Sequence, residues 1–348
     1  MRALSGLLCR RLSTALRGSV PGYVFDIDGV LVRGKTPIPA GRDALRALLK
    51  PGSREFQYPV MFLTNSGGLT ESQKAEEVSK LCGIEISPDQ VVLSHTPMRA
   101  MAAEYNSSKD SVVVCVGKRA CVHVARGYGF KRAILIDDFA IQQPLVTPNT
   151  MLEGEGEPID ASLTELKVSG VFLMHDSRNW GRDIQLLCDI LGSDGSEYRP
   201  LHPHQVVPMY VANPDFVFVN EYHLPRFAQG AFLTALEAVF LRRFGRPLVY
   251  TMFGKPQKSQ YEFVEKLLLE RARSMGFADL DTIYGIGDNP EADARGANNA
   301  GGKWVSVLVR TGCFEGEGND PSDPAQIVAA DAHEAIMKTI QQRSATAT

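Results

Sequence analysis

None of the six cysteines, at 9, 82, 115, 121, 188 and 313, lies in a CxxC pair, and no Cys/His group has zinc-ligand spacing. A dithiol motif or zinc finger is thereby excluded. What remains is reduced, packed thiols, which suit a reducing compartment better than a secretory one. The Asn106-Ser107-Ser108 sequon is then incidental. No window approaches ~18 consecutive apolar residues, so no membrane span is expected. An excess of one charge is also missing. The formal net charge of −3 makes no electrostatic case for nucleic acid. The chain has no internal repeat and no low-complexity tract. Acidic residues are absent before Asp26, while Arg2, Arg10, Arg11 and Arg17 are present and Leu4, Leu8, Leu12 and Leu16 share one helical face. An Arg-rich, acid-free, amphipathic start is what a mitochondrial transit segment looks like. We place it at 1–20, with Pro21 just before the first strand, and expect a mitochondrial, matrix location.

What is present is ample apolar material: 348 residues, 44% of them hydrophobic. That length suggests two domains, or one core with a large insertion. Short apolar runs at 23–25, 60–63 and 90–93 read as strands, and the segments 41–50, 71–81 and 97–105 as helices, with Gly83 as a stop. The alternation argues for a parallel α/β sheet. The middle begins again, with strands at 112–116, 133–136, 168–174 and 209–212 and helices at 118–127 and 181–191. Residues 141–165 are rich in Pro, Gly and acid and read as loops. Long helices at 227–244 and 260–275, strands at 282–286 and 304–309 and a closing helix at 331–341 complete the chain. The expected division is a core of 21–108 and 214–342, an inserted α/β domain of 109–213, and a frayed tail of 343–348.

Ligands of an open α/β sheet bind beyond the carboxyl ends of its strands. Those ends carry Asp26 and Asp28, then Thr64-Asn65, then Asp288, and Lys255 follows a further short apolar run. Such an inventory suits phosphoryl transfer. Clustered carboxylates repel and resist ionisation unless a hard divalent cation such as Mg²⁺ neutralises them. One aspartate can attack phosphorus, and a second can protonate the leaving alkoxide and then activate water. Thr64 and Lys255 can donate to the phosphoryl oxygens. A dehalogenase would need neither the metal nor Asp28. In the middle domain, His175, Asp176 and Arg178 end a strand and are candidates to face a substrate, with an exposed polar loop as the bland alternative. His202 and His204 flank Pro203 in a loop and make a poor metal pair.

Asp26-Ile27-Asp28-Gly29-Val30, Thr64-Asn65, Gly254-Lys255-Pro256 and Gly287-Asp288-Asn289 with Asp293 resemble, in order, the four motifs of the haloacid dehalogenase superfamily. The long insertion resembles the C2-type cap of the NagD-like class IIA branch. Segments such as 28–34, 90–98 and 224–230 resemble the mitochondrial haloacid dehalogenase-like hydrolase domain-containing 5 family. The resemblance covers nearly all of the chain after residue 20 and implies a Rossmann-like core, helices on both sheet faces, with an α/β cap. It implies that Asp26 is the nucleophile and a metal ligand, and that Asp28 is the general acid/base and lends its backbone carbonyl to the metal. Thr64, Asn65 and Lys255 hold phosphate, and Asp288 completes a Mg²⁺ site supported by Asp293 and Asn289. The expected activity is Mg²⁺-dependent hydrolysis of a small phosphorylated metabolite through an aspartyl-phosphate. Two alternatives stand beside it: an idle member that binds a phosphorylated metabolite or a partner, and a phosphotransferase to an acceptor other than water. The sequence leaves the oligomeric state open, a homodimer included.

Overall fold

The computed structural model describes residues 16–346, apart from 109, 143, 147, 149–166, 197–199, 219 and 315. Two parallel sheets organise it. The first runs Ile327–Ala329, Trp304–Val309, Phe277–Gly287, Arg17–Phe25, Val60–Thr64 and Val91–Leu93, each strand parallel to its neighbours. Period-two alternation sorts its side chains. Tyr23, Phe25 and Phe62 face the helices Pro39–Ala47, Glu71–Cys82 and Ala332–Thr346. Val24, Met61 and Leu63 face Lys258–Ser274 and Arg295–Ala300. Helix Glu71–Cys82 shows why such boundaries are legible: Thr70 and Gln73 form a capping box, and Gly83 ends the helix at φ 66°. After Arg17–Phe25 the chain builds the sheet first to one side and later to the other. Asp26 therefore sits at the switch point, where a crevice opens.

The second sheet runs Thr251–Met252, Met209–Val211, Lys167–Leu173, Ser111–Val116 and Ala133–Leu135, again all parallel. Its strands come from residues 111–211, with 251–252 added from further along the chain. Met98, Ala102 and Tyr105 pack on one of its faces. Phe232, Leu233, Leu236 and Phe240 of helix Gln229–Phe244 pack on the other, and Thr251–Met252 supplies an edge strand. The apolar stripe of Gln229–Phe244 needs a partner sheet, and periodicity cannot say which of two sheets that is.

The ends differ as well. Residues 1–15 of the expected transit segment lie outside the described residues, but Arg17–Val20 open the first strand. Arg17 lies over the Phe277 ring at 4.2 Å and donates to Met275 O at 2.9 Å, which extends the pairing beyond the apolar run. At the other end the last helix continues to Thr346, past the expected limit of 342, with Arg343 paired to Asp281 at 2.6 Å. Residues 97–105 form a 3-10 helix, Thr96–Met101, and one α turn, Ala102–Tyr105, instead of a single α-helix. Cys115 and Cys121 are buried packing residues, and His202 Nδ1 and His204 O are 2.8 Å apart within their own loop. Asn106 is engaged with Gly129 O and Lys131 N.

Candidate active site

Strand termination delivers the acidic residues. The Asp26 N–H still donates to Ile286 O at 2.8 Å, so the residue is held in register while its side chain leaves the sheet. Asp288 follows the neighbouring strand, and Asp293 sits one turn further on, in the segment Pro290–Ala294. Asn289 shapes that turn: its Oδ1 accepts from Glu291 N, and its N–H donates to Asp293 Oδ2 at 3.1 Å. Carboxylate oxygens of Asp26, Asp288 and Asp293 all lie within 4.8 Å of one another. Lys255 Nζ reaches Asp26 Oδ1 at 2.8 Å and Asp293 Oδ1 at 2.6 Å.

Glycine makes the crowding feasible. A Cβ on Gly287 would stand 2.0 Å from the Asp293 carboxyl carbon, and one on Gly312 would stand 1.8 Å from Asp288 Oδ2. The loop after strand Trp304–Val309 thus presses its backbone onto Asp288, whose Oδ2 accepts from Cys313 N at 2.6 Å. Thr64 is buried. Its Oγ1 accepts from Ser66 N at 3.0 Å, which leaves the hydroxyl proton to donate elsewhere. Asn65 is occupied otherwise than expected of a phosphate ligand. It accepts from Lys255 N at 2.8 Å and donates to Lys255 O at 3.0 Å and to Asp215 at 3.1 Å. Its amide ties the Thr64 loop to the Lys255 turn.

These residues line one cavity of about 680 Å³, whose opposite wall comes from the second sheet. Asp176 and Arg178 are in that wall, with Lys118 and His175 beside them. Gly67 and Gly68 allow the approach, since a Cβ would lie 2.4 Å from Met174 O or 2.5 Å from His175. Burial pulls the His175 imidazole down to about 4, and its Nδ1 accepts from Asp176 N, so the ring is neutral. Asp28 also lines the cavity, but its carboxylate is not among the three clustered ones. It faces Lys74 and Glu77, themselves paired at 2.7 Å.

Burial, opposed by Lys255, raises Asp26. Burial also raises Asp28 and Asp288, the latter further by its neighbours Asp26 and Asp293. Asp293 is pushed up to about 6 and Asp215 to about 7, again chiefly by burial. Burial works against the Lys255 ammonium, but Asp26 and Asp293 outweigh it and hold the lysine well above its ordinary value. One lysine against this many carboxylates leaves a negative deficit, and hard oxygen donors fit a divalent cation such as Mg²⁺. Asp26 and Asp288 would hold it, since Asp293 has both oxygens engaged, by Lys255 and by Asn289 N.

A raised carboxyl binds its proton more tightly in the folded state. Its stabilising contribution is therefore complete below the unfolded value of about 3.9 and is lost as pH rises through the folded value. For Asp215 that window runs up to about 7. Without metal, the protein is expected to lose on the order of 2 kcal/mol across it, a figure discounted for partial solvent contact. Asp215→Asn should make that slope shallower by its own share, the other raised carboxyls keeping theirs, read from urea midpoints in EDTA at acid and neutral pH.

Sequence reasoning missed Asp215, Lys74, Lys118 and the Thr311–Cys313 loop. The last was findable, because it follows another parallel strand and so obeys the same carboxyl-end rule. Asp215 lies in Asn213-Pro214-Asp215, which resembles the point where the cap returns to the core; only the fold places it against Asn65.

Comparison with known proteins gives the family. A family profile described as haloacid dehalogenase-like hydrolase matches residues 23–131, and a HAD-hydrolase-like profile matches residues 252–335. A mitochondrial hydrolase of Saccharomyces cerevisiae is 30% identical, across 92% of this chain and 95% of that protein. A cardiolipin synthase (CMP-forming)/mitochondrial hydrolase fusion protein of Schizosaccharomyces pombe is 34% identical, over 90% of this chain and 52% of its own length. Among solved structures, a glycerol phosphate phosphatase of Mycobacterium tuberculosis in complex with magnesium superposes with a TM-score of 0.58 at 17% identity, covering 90% of this chain and 75% of that one. The ordered motifs, the two-sheet architecture and these relatives assign the chain to the haloacid dehalogenase-like hydrolases.

Proposed function

We propose that the chain is a Mg²⁺-dependent phosphohydrolase that acts on a phosphate monoester through an aspartyl-phosphate on Asp26, in mitochondria. The observation that carries this reading is the grouping of Asp26, Asp288 and Asp293 within 4.8 Å, with Lys255 against Asp26, in the wall of one cavity. Asp26 Oδ attacks phosphorus while the bond to the leaving alkoxide breaks. Asp28, whose burial favours the protonated form, gives that alkoxide its proton. It then takes a proton from water, the hydroxide attacks phosphorus, and the bond to Asp26 breaks to release phosphate. Thr64 and Lys255 donate to the phosphoryl oxygens as charge builds on them. Bound Mg²⁺ would neutralise the clustered carboxylates and the phosphate, held by Asp26, Asp288 and the Asp28 backbone carbonyl. Asp176, Arg178 and Lys118 would meet the leaving group.

Mitochondrial location is supported by the names of both yeast relatives. The magnesium-bound glycerol phosphate phosphatase and the cardiolipin synthase fusion both favour a glycerol-type monoester. No helix among the described residues is long and apolar enough to cross a membrane. Phosphate release from a generic aryl phosphate is expected with Mg²⁺ and should fall at least about a hundredfold in EDTA. Equal turnover in both would refute the metal-dependent mechanism.

A further inference from the structure

The segment that leads from Asp215 back to helix Gln229–Phe244 is an antiparallel hairpin, Val217–Phe218 on Arg226–Phe227. It displays Phe216, Val217, Phe218, Tyr222, Leu224 and Phe227 with 39–65% of each exposed. Isolated exposed apolar residues need no explanation, but a contiguous aromatic strip marks an interaction surface. Its base is anchored, with Phe227 packed on Trp180 and Phe216. Tyr222 and Leu224, between the paired strands, touch no core cluster.

Two further features restrict the occupant. Val217 and Phe218 line the same cavity as Asp26, so the apolar strip runs into the mouth of the site. Cations flank it: Lys118 and Arg178 on the cavity wall, and Arg226 stacked on Tyr222. None of these three is in a salt bridge among the described residues. A second protein copy seated on the strip would shut the mouth that substrate must use. An anionic lipid surface would instead leave a headgroup free to enter, with aromatic side chains at the polar–apolar boundary and cations facing phosphates.

We propose that this hairpin docks on a phospholipid bilayer, and that the substrate is a membrane lipid whose glycerol headgroup ends in a phosphate monoester. This rests on the phosphohydrolase reading above and names its substrate class. The test uses the full chain and the double variant Tyr222→Ser/Leu224→Ser, neither position being in the cavity wall. Each is assayed on a soluble aryl phosphate and on phosphatidylcholine vesicles carrying a diacyl lipid with a glycerophosphate headgroup. Co-sedimentation with those vesicles and solution mass are measured in parallel. The parent should bind the vesicles and release phosphate from them. The variant should match the parent on the soluble ester and lose about tenfold or more on vesicles, in both binding and turnover. Aryl phosphate turnover without vesicle turnover would overturn the lipid proposal and leave the phosphohydrolase reading standing. No turnover of either substrate would remove that reading, and with it the substrate proposal, while vesicle binding would still decide the docking surface. A variant that changes from dimer to monomer with vesicle binding intact would make the hairpin a contact between copies and overturn the proposal.

Discussion

Asp26→Asn is expected to lower phosphate release by about 10⁴-fold or more and to leave the metal-free protein at least as stable as the parent. The two effects have one origin. Asparagine keeps the shape of the side chain and can still sit beside Lys255, but its amide cannot form the acyl-phosphate. The Asp26 N–H bond to Ile286 O belongs to the backbone and survives, so register at the strand end is kept. Meanwhile one of three carboxylates packed within 4.8 Å is neutralised, which relieves repulsion that burial makes costly. Lys255 retains Asp293 at 2.6 Å, so the buried cation is not orphaned. Single-turnover phosphate release and thermal midpoints in EDTA read the two effects separately. Turnover that survives the change, with the protein folded, would remove Asp26 from the reaction. A large loss of stability would show that the aspartate is chiefly structural.

The grouping of Asp26, Thr64 and Asp288 was more legible in the sequence than the sheet that each helix covers. Asp26, Thr64 and Asp288 each follow a short apolar strand, and one topological rule brings such ends together without any knowledge of side-chain packing. That rule also located Lys255, although its turn is fixed by Asn65 and not by a core strand. Assignment of Gln229–Phe244 and Thr96–Tyr105 to the second sheet depended on which of two apolar faces each would cover. Local pattern carries no such information. The same limit hid Asp215: a carboxylate matters there because Asn65 and Lys255 surround it, and both arrive from distant parts of the chain. Asp176 and Arg178 line the cavity, and they too follow the end of a parallel strand, this time of the second sheet.

Lys255→Met is expected to cost about 3–5 kcal/mol of stability in the metal-free protein, because removing one member of a buried ion pair leaves the other charge uncompensated. Lys255 is 3% exposed and serves Asp26 and Asp293 together, and its charge also restrains Asp215. Methionine fills most of the same volume, so the loss reports charge more than packing. The deficit should shrink in acid. As pH falls through about 6, Asp293 takes up a proton and needs the cation less. It should also shrink when Mg²⁺ is added, since an ion held by Asp26 and Asp288 supplies positive charge to the same carboxylate cluster. In a Lys255→Met/Asp293→Asn double variant the losses should be markedly less than additive, because the second change removes a charge that the first has stranded. Urea midpoints at two pH values, with and without Mg²⁺, decide the matter. A deficit independent of pH and metal would mean that Lys255 acts through packing alone, and the electrostatic account of this site would fail with it.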